Sequence, residues 1–185
     1  MLRVGIAPRW GGNARSDWLP WLLRSLDPDR FHTVDVLAGG APPRVETWVP
    51  ALRSWLGDVP AALGRTVLVG HSVGCQAWMR SLATLPAPVA GLVLVAPWFR
   101  VDKPWDAILP WQEPPLDWAV VRRNAGKVVA FHSQDDPFVA DFQANCARWK
   151  ERLGGEGRMF AGVGHFNGAA LPELLGAIHA VAAGR

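Results

Sequence analysis

The chain has 185 residues, half of them hydrophobic and 19% charged, which suits one folded domain with its own core and excludes a disordered chain. Nineteen Lys and Arg against 16 Asp and Glu give a net charge of +3. Arg122-Arg123 is the only basic doublet, so no patch for nucleic acid or an anionic membrane is expected. No apolar stretch reaches the ~18 residues of a membrane helix.

Leu2 to Ala7 reads as a strand, entered directly from Met1 without the separate charged and apolar regions of a signal peptide. A loop, Pro8 to Arg15, leads to a helix that Ser16 caps and that runs to Leu26. Phe31 to Leu37 alternates as a second strand, and Val45 to Leu56 follows as a helix. Thr66 to Val69 is a β-branched strand ending in glycine. The helix from Val73 to Leu85 places Val73, Ala77, Trp78, Leu82 and Leu85 near helical spacing. Val89 to Val95 is a near-continuous apolar run, as in a parallel strand covered on both faces. The Pro- and Trp-rich segment at 97–118 has no period. Asp117 to Asn124 reads as a short helix and Lys127 to His132 as a strand. A helix from Phe138 to Leu153, a weak strand from Arg158 to Ala161 and a helix from Leu171 to Ala183 complete the chain. Strands that alternate with helices predict an α/β fold, a doubly wound, mostly parallel sheet of about six strands with helices on both faces. The expected organisation is a single domain, 1–185, with a lid-like excursion at 97–118.

Gly70-His71-Ser72-Val73-Gly74 has the pattern G-x-S-x-G, set between a strand and a helix as a nucleophile elbow requires. The serine occupies a strained turn that other backbone approaches closely, so the flanking positions must lack side chains. A serine nucleophile needs a base and an acid that orients it, and in this arrangement they follow in the order Ser, Asp, His on loops after strands. Asp136 follows the strand Lys127–His132, and His165 follows the strand Arg158–Ala161. Asp135 competes with Asp136. We choose Asp136 because Pro137 fixes its turn, and Asp135 is then free to cap the next helix. Asp102 is a third candidate acid. The Val73 amide at a helix start is one oxyanion donor; the second comes from the first loop, Trp10 preferred over Arg9, since Pro8 has no N–H. His71 lines the site or packs beneath it. His32, His132 and His179 are read as packing or supporting residues.

Two further sequence features bear on setting. Cys75 and Cys146 stand apart in apolar surroundings, outside any C-x-x-C pair, so a reduced, cytoplasmic protein is expected. The absence of G-x-G-x-x-G, a Walker loop and H-E-x-x-H leads us to expect no metal and no cofactor.

The Gly70–Gly74 elbow, Trp118, Asn124, Ser133-Gln134-Asp135-Asp136-Pro137-Phe138 and Gly164-His165-Phe166-Asn167 resemble the small serine hydrolases of the α/β-hydrolase superfamily grouped with retinoblastoma-binding protein nine and its bacterial relatives. The resemblance implies a minimal α/β-hydrolase fold and a triad of Ser72, Asp136 and His165. The expected reaction is cleavage of a small ester or amide through an acyl-enzyme. Two alternatives stay open: a weak or inactive hydrolase-fold module that binds a protein, although no sequence feature points to one, and an acyltransferase or perhydrolase. Eleven Trp and no Tyr are unusual, and Trp98, Trp105 and Trp111 fall in the excursion. With His71 and Phe166 they are the candidate substrate-binding residues.

Overall fold

The structure is a computed structural model that describes residues 1–35, 42–113 and 115–183. Its strands are β1 (Leu2–Ala7), β2 (Phe31–Asp35), β3 (Thr66–His71), β4 (Gly91–Val95), β5 (Lys127–Ser133) and β6 (Glu156–Phe160). Its helices are α1 (Leu19–Ser25), α2 (Val45–Leu56), α3 (Pro60–Leu63), α4 (Val73–Leu82), α5 (Trp118–Asn124), α6 (Phe142–Leu153) and α7 (Pro172–Ala183). The six strands form one sheet in the order β2-β1-β3-β4-β5-β6, and every pairing is parallel.

The side-chain period of two divides the strand residues between the faces. Leu68, Leu92, Leu94 and Val128 meet α2, α4, α5 and α6 in a core that also holds Trp48, Trp78 and Trp149. Val67, Val69, Val93, Val95 and Phe131 meet α1 and α7 on the opposite face, around Trp18 and Ile178. Cover on both sides explains why β3 and β4 are buried throughout and read as unbroken apolar runs. Every residue of α4 is buried. Its polar groups bond inside the protein, Trp78 Nε1 donating to Val69 O at 2.9 Å and Ser81 Oγ to Ala77 O at 3.0 Å.

Several boundaries differ from the sequence expectation, each for a local reason. The first helix begins at Leu19, because Ser16 Oγ accepts from the Asn13 amide at 3.1 Å and closes the loop instead of capping the helix. The helix expected from Phe138 begins at Phe142, capped by Asp141 Oδ1, which accepts from Ala144 N at 2.9 Å. Helix α4 stops at Leu82, and Asn124 Nδ2 takes up the Leu82 and Leu85 carbonyls at 2.9 Å each. The helix Pro60–Leu63 was not expected. Residues 36–37, the end of the expected second strand, lie outside the described residues.

The sheet order sets where a ligand site can form. The chain steps from β1 outward to β2, then returns to place β3 on the other side of β1. Such a switch point leaves a crevice beyond the carboxyl ends of the two strands. The register brings Ala7 beside Gly70, His71 beside Val95, and Val95 beside Phe131, so these ends share one edge.

Candidate active site

Ser72 occupies the sharp turn between β3 and α4 with φ 55° and ψ −118°, a conformation costly for a residue with a β-carbon. Its amide donates to Val95 O at 2.9 Å, which fastens the turn to β4. A β-carbon on Gly74 would lie 2.1 Å from Ala7 O, and one on Gly70 would lie 2.8 Å from Cys75 N. Both glycines are therefore required sterically, and the contact at Gly74 shows how closely the first turn of α4 abuts the end of β1. The amides of Val73, Arg9 and Trp10 have no hydrogen-bond partner among the described residues.

On the far side of the switch point, His165 Nδ1 donates to Asp136 Oδ2 at 2.8 Å. This leaves Nε2 as the ring nitrogen with the free lone pair. Asp136 Oδ1 accepts from Phe138 N at 3.0 Å, which fixes the carboxylate plane. Ser72, Asp136 and His165 are 6%, 8% and 7% exposed, so water competes little for these contacts.

The two adjacent carboxylates do different work. Asp135 does not cap a helix. Its carboxylate accepts from Ser133 Oγ at 2.9 Å, Gly162 N at 2.8 Å, Val163 N at 3.3 Å and Gly164 N at 3.0 Å. It gathers the loop that precedes His165, and the Ser133 hydroxyl, with those amides, holds its pKa below the usual value. Asp102 is likewise engaged away from His165. Its Oδ2 accepts from Ala140 N at 2.6 Å and steadies the turn after Phe138.

His71 is buried under the site, and its Nε2 donates to His165 O at 2.8 Å. Burial, then the neighbouring His165, push its pKa down to about 3, so it is a neutral brace for the His165 loop. His132 is also buried, and burial lowers it to about 4. It borders a niche of about 10 Å³ beside Asp136.

Ser72 and His165 open onto one cleft of about 100 Å³. Trp98 and Trp105 line it as expected, Trp10 of the first loop lines it too, and Trp98 Nε1 donates to Ser72 Oγ at 3.1 Å. Three other expected lining residues do not. His71 lies beneath the site. Trp111 is buried against Trp48, ring centroids 6.1 Å apart, with the Arg80 guanidinium 5.2 Å from its ring. Phe166, at φ 56°, turns into the core beside Phe160 and Phe131. Arg9, Val101, Ile108, Phe138 and Asn167 line the cleft and were not anticipated. Phe138 meets the His165 ring edge to face at 4.7 Å, a contact that its place after Asp136-Pro137 could have suggested. Arg9 carries no such signal, since its position depends on a bidentate pair with Asp17 at 2.7 and 3.1 Å. Among the described residues no cluster of metal-ligating side chains occurs, and no helix is long and apolar enough to cross a membrane.

Comparison with known proteins bears on the fold and the family. The chain is 26% identical over 183 residues to the serine hydrolase RBBP9 of Rattus norvegicus, covering 92% of this chain and 90% of that one. Its fold matches the ydeN gene product of B. subtilis with a TM-score of 0.82 at 21% identity, over 98% of both chains. It also matches Est1E of Butyrivibrio proteoclasticus, solved with bound ferulic acid, with a TM-score of 0.68 at 14% identity, over 98% of this chain and 87% of that one. These likenesses identify the α/β-hydrolase fold. The model of the serine hydrolase family matches residues 4–173, a span that contains the elbow and the stretches around Asp136 and His165, and the chain belongs to that family.

Proposed function

We propose that the protein hydrolyses a small carboxylic ester or amide through an acyl-enzyme on Ser72. The observation that carries this reading is the convergence on one cleft of a strained elbow serine and a histidine already hydrogen-bonded to a buried carboxylate. Ser72 Oγ attacks the substrate carbonyl and His165 Nε2 takes its proton. The same nitrogen then protonates the leaving group. Asp136 holds the imidazole in the required tautomer and stabilises its charged form. The carbonyl oxygen gains negative charge where the unpartnered amides of Val73 and Trp10 can meet it, with the positive end of α4 behind Val73. A water molecule then repeats the sequence on the acyl-enzyme.

The size of the cleft supports a small acyl group, since it has about 100 Å³, less than the ~150 Å³ of an apolar cavity that binds benzene. We read the segment 97–118 as the lid, because it supplies Trp98, Val101, Trp105 and Ile108 to one wall. Two unpaired thiols suit a reducing, cytoplasmic setting. A fluorophosphonate probe tests the reading, by forming a stoichiometric adduct on Ser72 and none on Ser72→Ala.

A further inference from the structure

We propose that Trp98 is a further catalytic residue, whose indole N–H stabilises Ser72 Oγ as that oxygen leaves the acyl group. The inference rests on the Ser72 reading above. Trp98 Nε1 donates to Ser72 Oγ at 3.1 Å, and among the described residues this is the one hydrogen bond to that oxygen. Trp98 is 1% exposed, so the contact is sheltered from water.

The backbone that carries the indole is held from several directions. Trp98 O accepts from Gln76 Nε2 on α4. Gln76 Oε1 accepts from Arg80 Nη1 at 3.0 Å, and Arg80 Nη2 donates to Pro110 O, also at 3.0 Å. Asn145 Nδ2 on α6 donates to Pro97 O at 2.8 Å. These bonds tie the segment to two helices, so the position of the N–H is not left to a loose loop. Arg80 is buried and has no carboxylate partner among the described residues; its charge is met by those oxygens and by the Trp111 ring.

The chemistry follows from what Oγ is at each stage. In acylation Oγ uses a lone pair to bond the carbonyl carbon, its proton passes to His165 Nε2, and the leaving group departs with that proton. Oγ ends as an ester oxygen, a poorer acceptor than a hydroxyl. In deacylation water adds to the acyl carbon and gives a proton to His165. The carbon–Oγ bond then breaks, the electron pair returns to Oγ, and His165 reprotonates it. An indole N–H is a donor only, so it keeps its proton throughout and strengthens its bond as charge gathers on Oγ. It therefore helps expulsion of Oγ from the acyl-enzyme. On the way in it already bonds the resting hydroxyl, so it gains less when that oxygen attacks.

The test compares Trp98→Phe, and a variant with benzothienylalanine at position 98, with the unaltered protein. Benzothienylalanine keeps the bicyclic shape and puts sulfur in place of the N–H, so it separates loss of the donor from loss of packing. Rapid mixing with p-nitrophenyl acetate reads acylation from the burst and deacylation from the steady state. Both variants should slow deacylation about tenfold more than acylation, and acetyl-enzyme should accumulate on Ser72 by intact mass. Equal slowing of both steps, slowing of acylation alone, or an unchanged benzothienylalanine variant overturns the role of Trp98. If the unaltered protein forms no Ser72 adduct, the Ser72 reading itself falls, and this inference with it.

Discussion

Asp135 and Asp136 are neighbours in sequence with separate tasks, and the difference lies in what faces each carboxylate. Asp136 points inward to His165, while Asp135, at the surface, binds Ser133 and the amides of Gly162, Val163 and Gly164. That Asp136 and not Asp135 meets His165 agrees with the sequence argument that Pro137 fixes the turn that carries it. The task of Asp135 was not legible in the sequence, since its amide partners lie 27 to 29 residues away. Asp135→Ala should loosen the His165 loop without removing any reacting group. We expect kcat for p-nitrophenyl acetate to fall between about 10- and 100-fold, with KM and the pH profile little changed. A variant as active as the unaltered protein would show that the loop holds without this clamp. His71 supports the same loop from below, here through the His165 backbone oxygen, a contact no residue pattern reveals.

Among the elements, strand–turn–helix order located the elbow, and the β1–β3 switch point explains why the first loop meets it. What escaped the sequence is how non-periodic segments pack. Five Trp, at positions 10, 98, 105, 111 and 118, fall in the first loop or the excursion, yet only Trp10, Trp98 and Trp105 line the cleft. Trp118 packs on Phe99, centroids 5.4 Å apart, with Arg152 over its ring. The side to which an indole turns in an irregular segment depends on tertiary contacts that carry no sequence period. Because 97–118 contributes a wall and, among its described residues before α5, one short helical turn, Leu109–Trp111, it bounds a small space. Across p-nitrophenyl esters of rising acyl length, kcat/KM should peak among short chains. A preference that keeps rising beyond about eight carbons would require a deeper site than a cleft of about 100 Å³.

For the whole molecule, the parallel sheet with two covered faces was legible because continuous apolar runs and amphipathic helices leave few alternatives. Acid sensitivity is expected from the burial of His71 and His132, two residues whose packing role the sequence already suggested. Both are held neutral, with pKa values pushed down to about 3 and about 4 from the ordinary 6.5. The unfolded chain binds protons at these residues below about pH 6.5, whereas the folded chain resists until the lower values. Their contribution is therefore complete above about pH 6.5 and is lost as the pH falls toward 4. Within that window up to two extra protons favour the unfolded state, on the order of 3 kcal/mol per pH unit at most. Urea midpoints should fall steadily from pH 7 to pH 4.5, and His132→Gln should reduce the slope by about half. A midpoint independent of pH would mean that neither imidazole is held neutral by burial.

The central claim, that Ser72 is a nucleophile served by His165 and Asp136, is tested most directly by intact-mass spectrometry after exposure to a fluorophosphonate probe. We predict one probe mass per chain, located on Ser72, lost in Ser72→Ala and formed at least 10³-fold more slowly in His165→Ala. An unmodified chain, in conditions where a known serine hydrolase is fully labelled, would contradict the account.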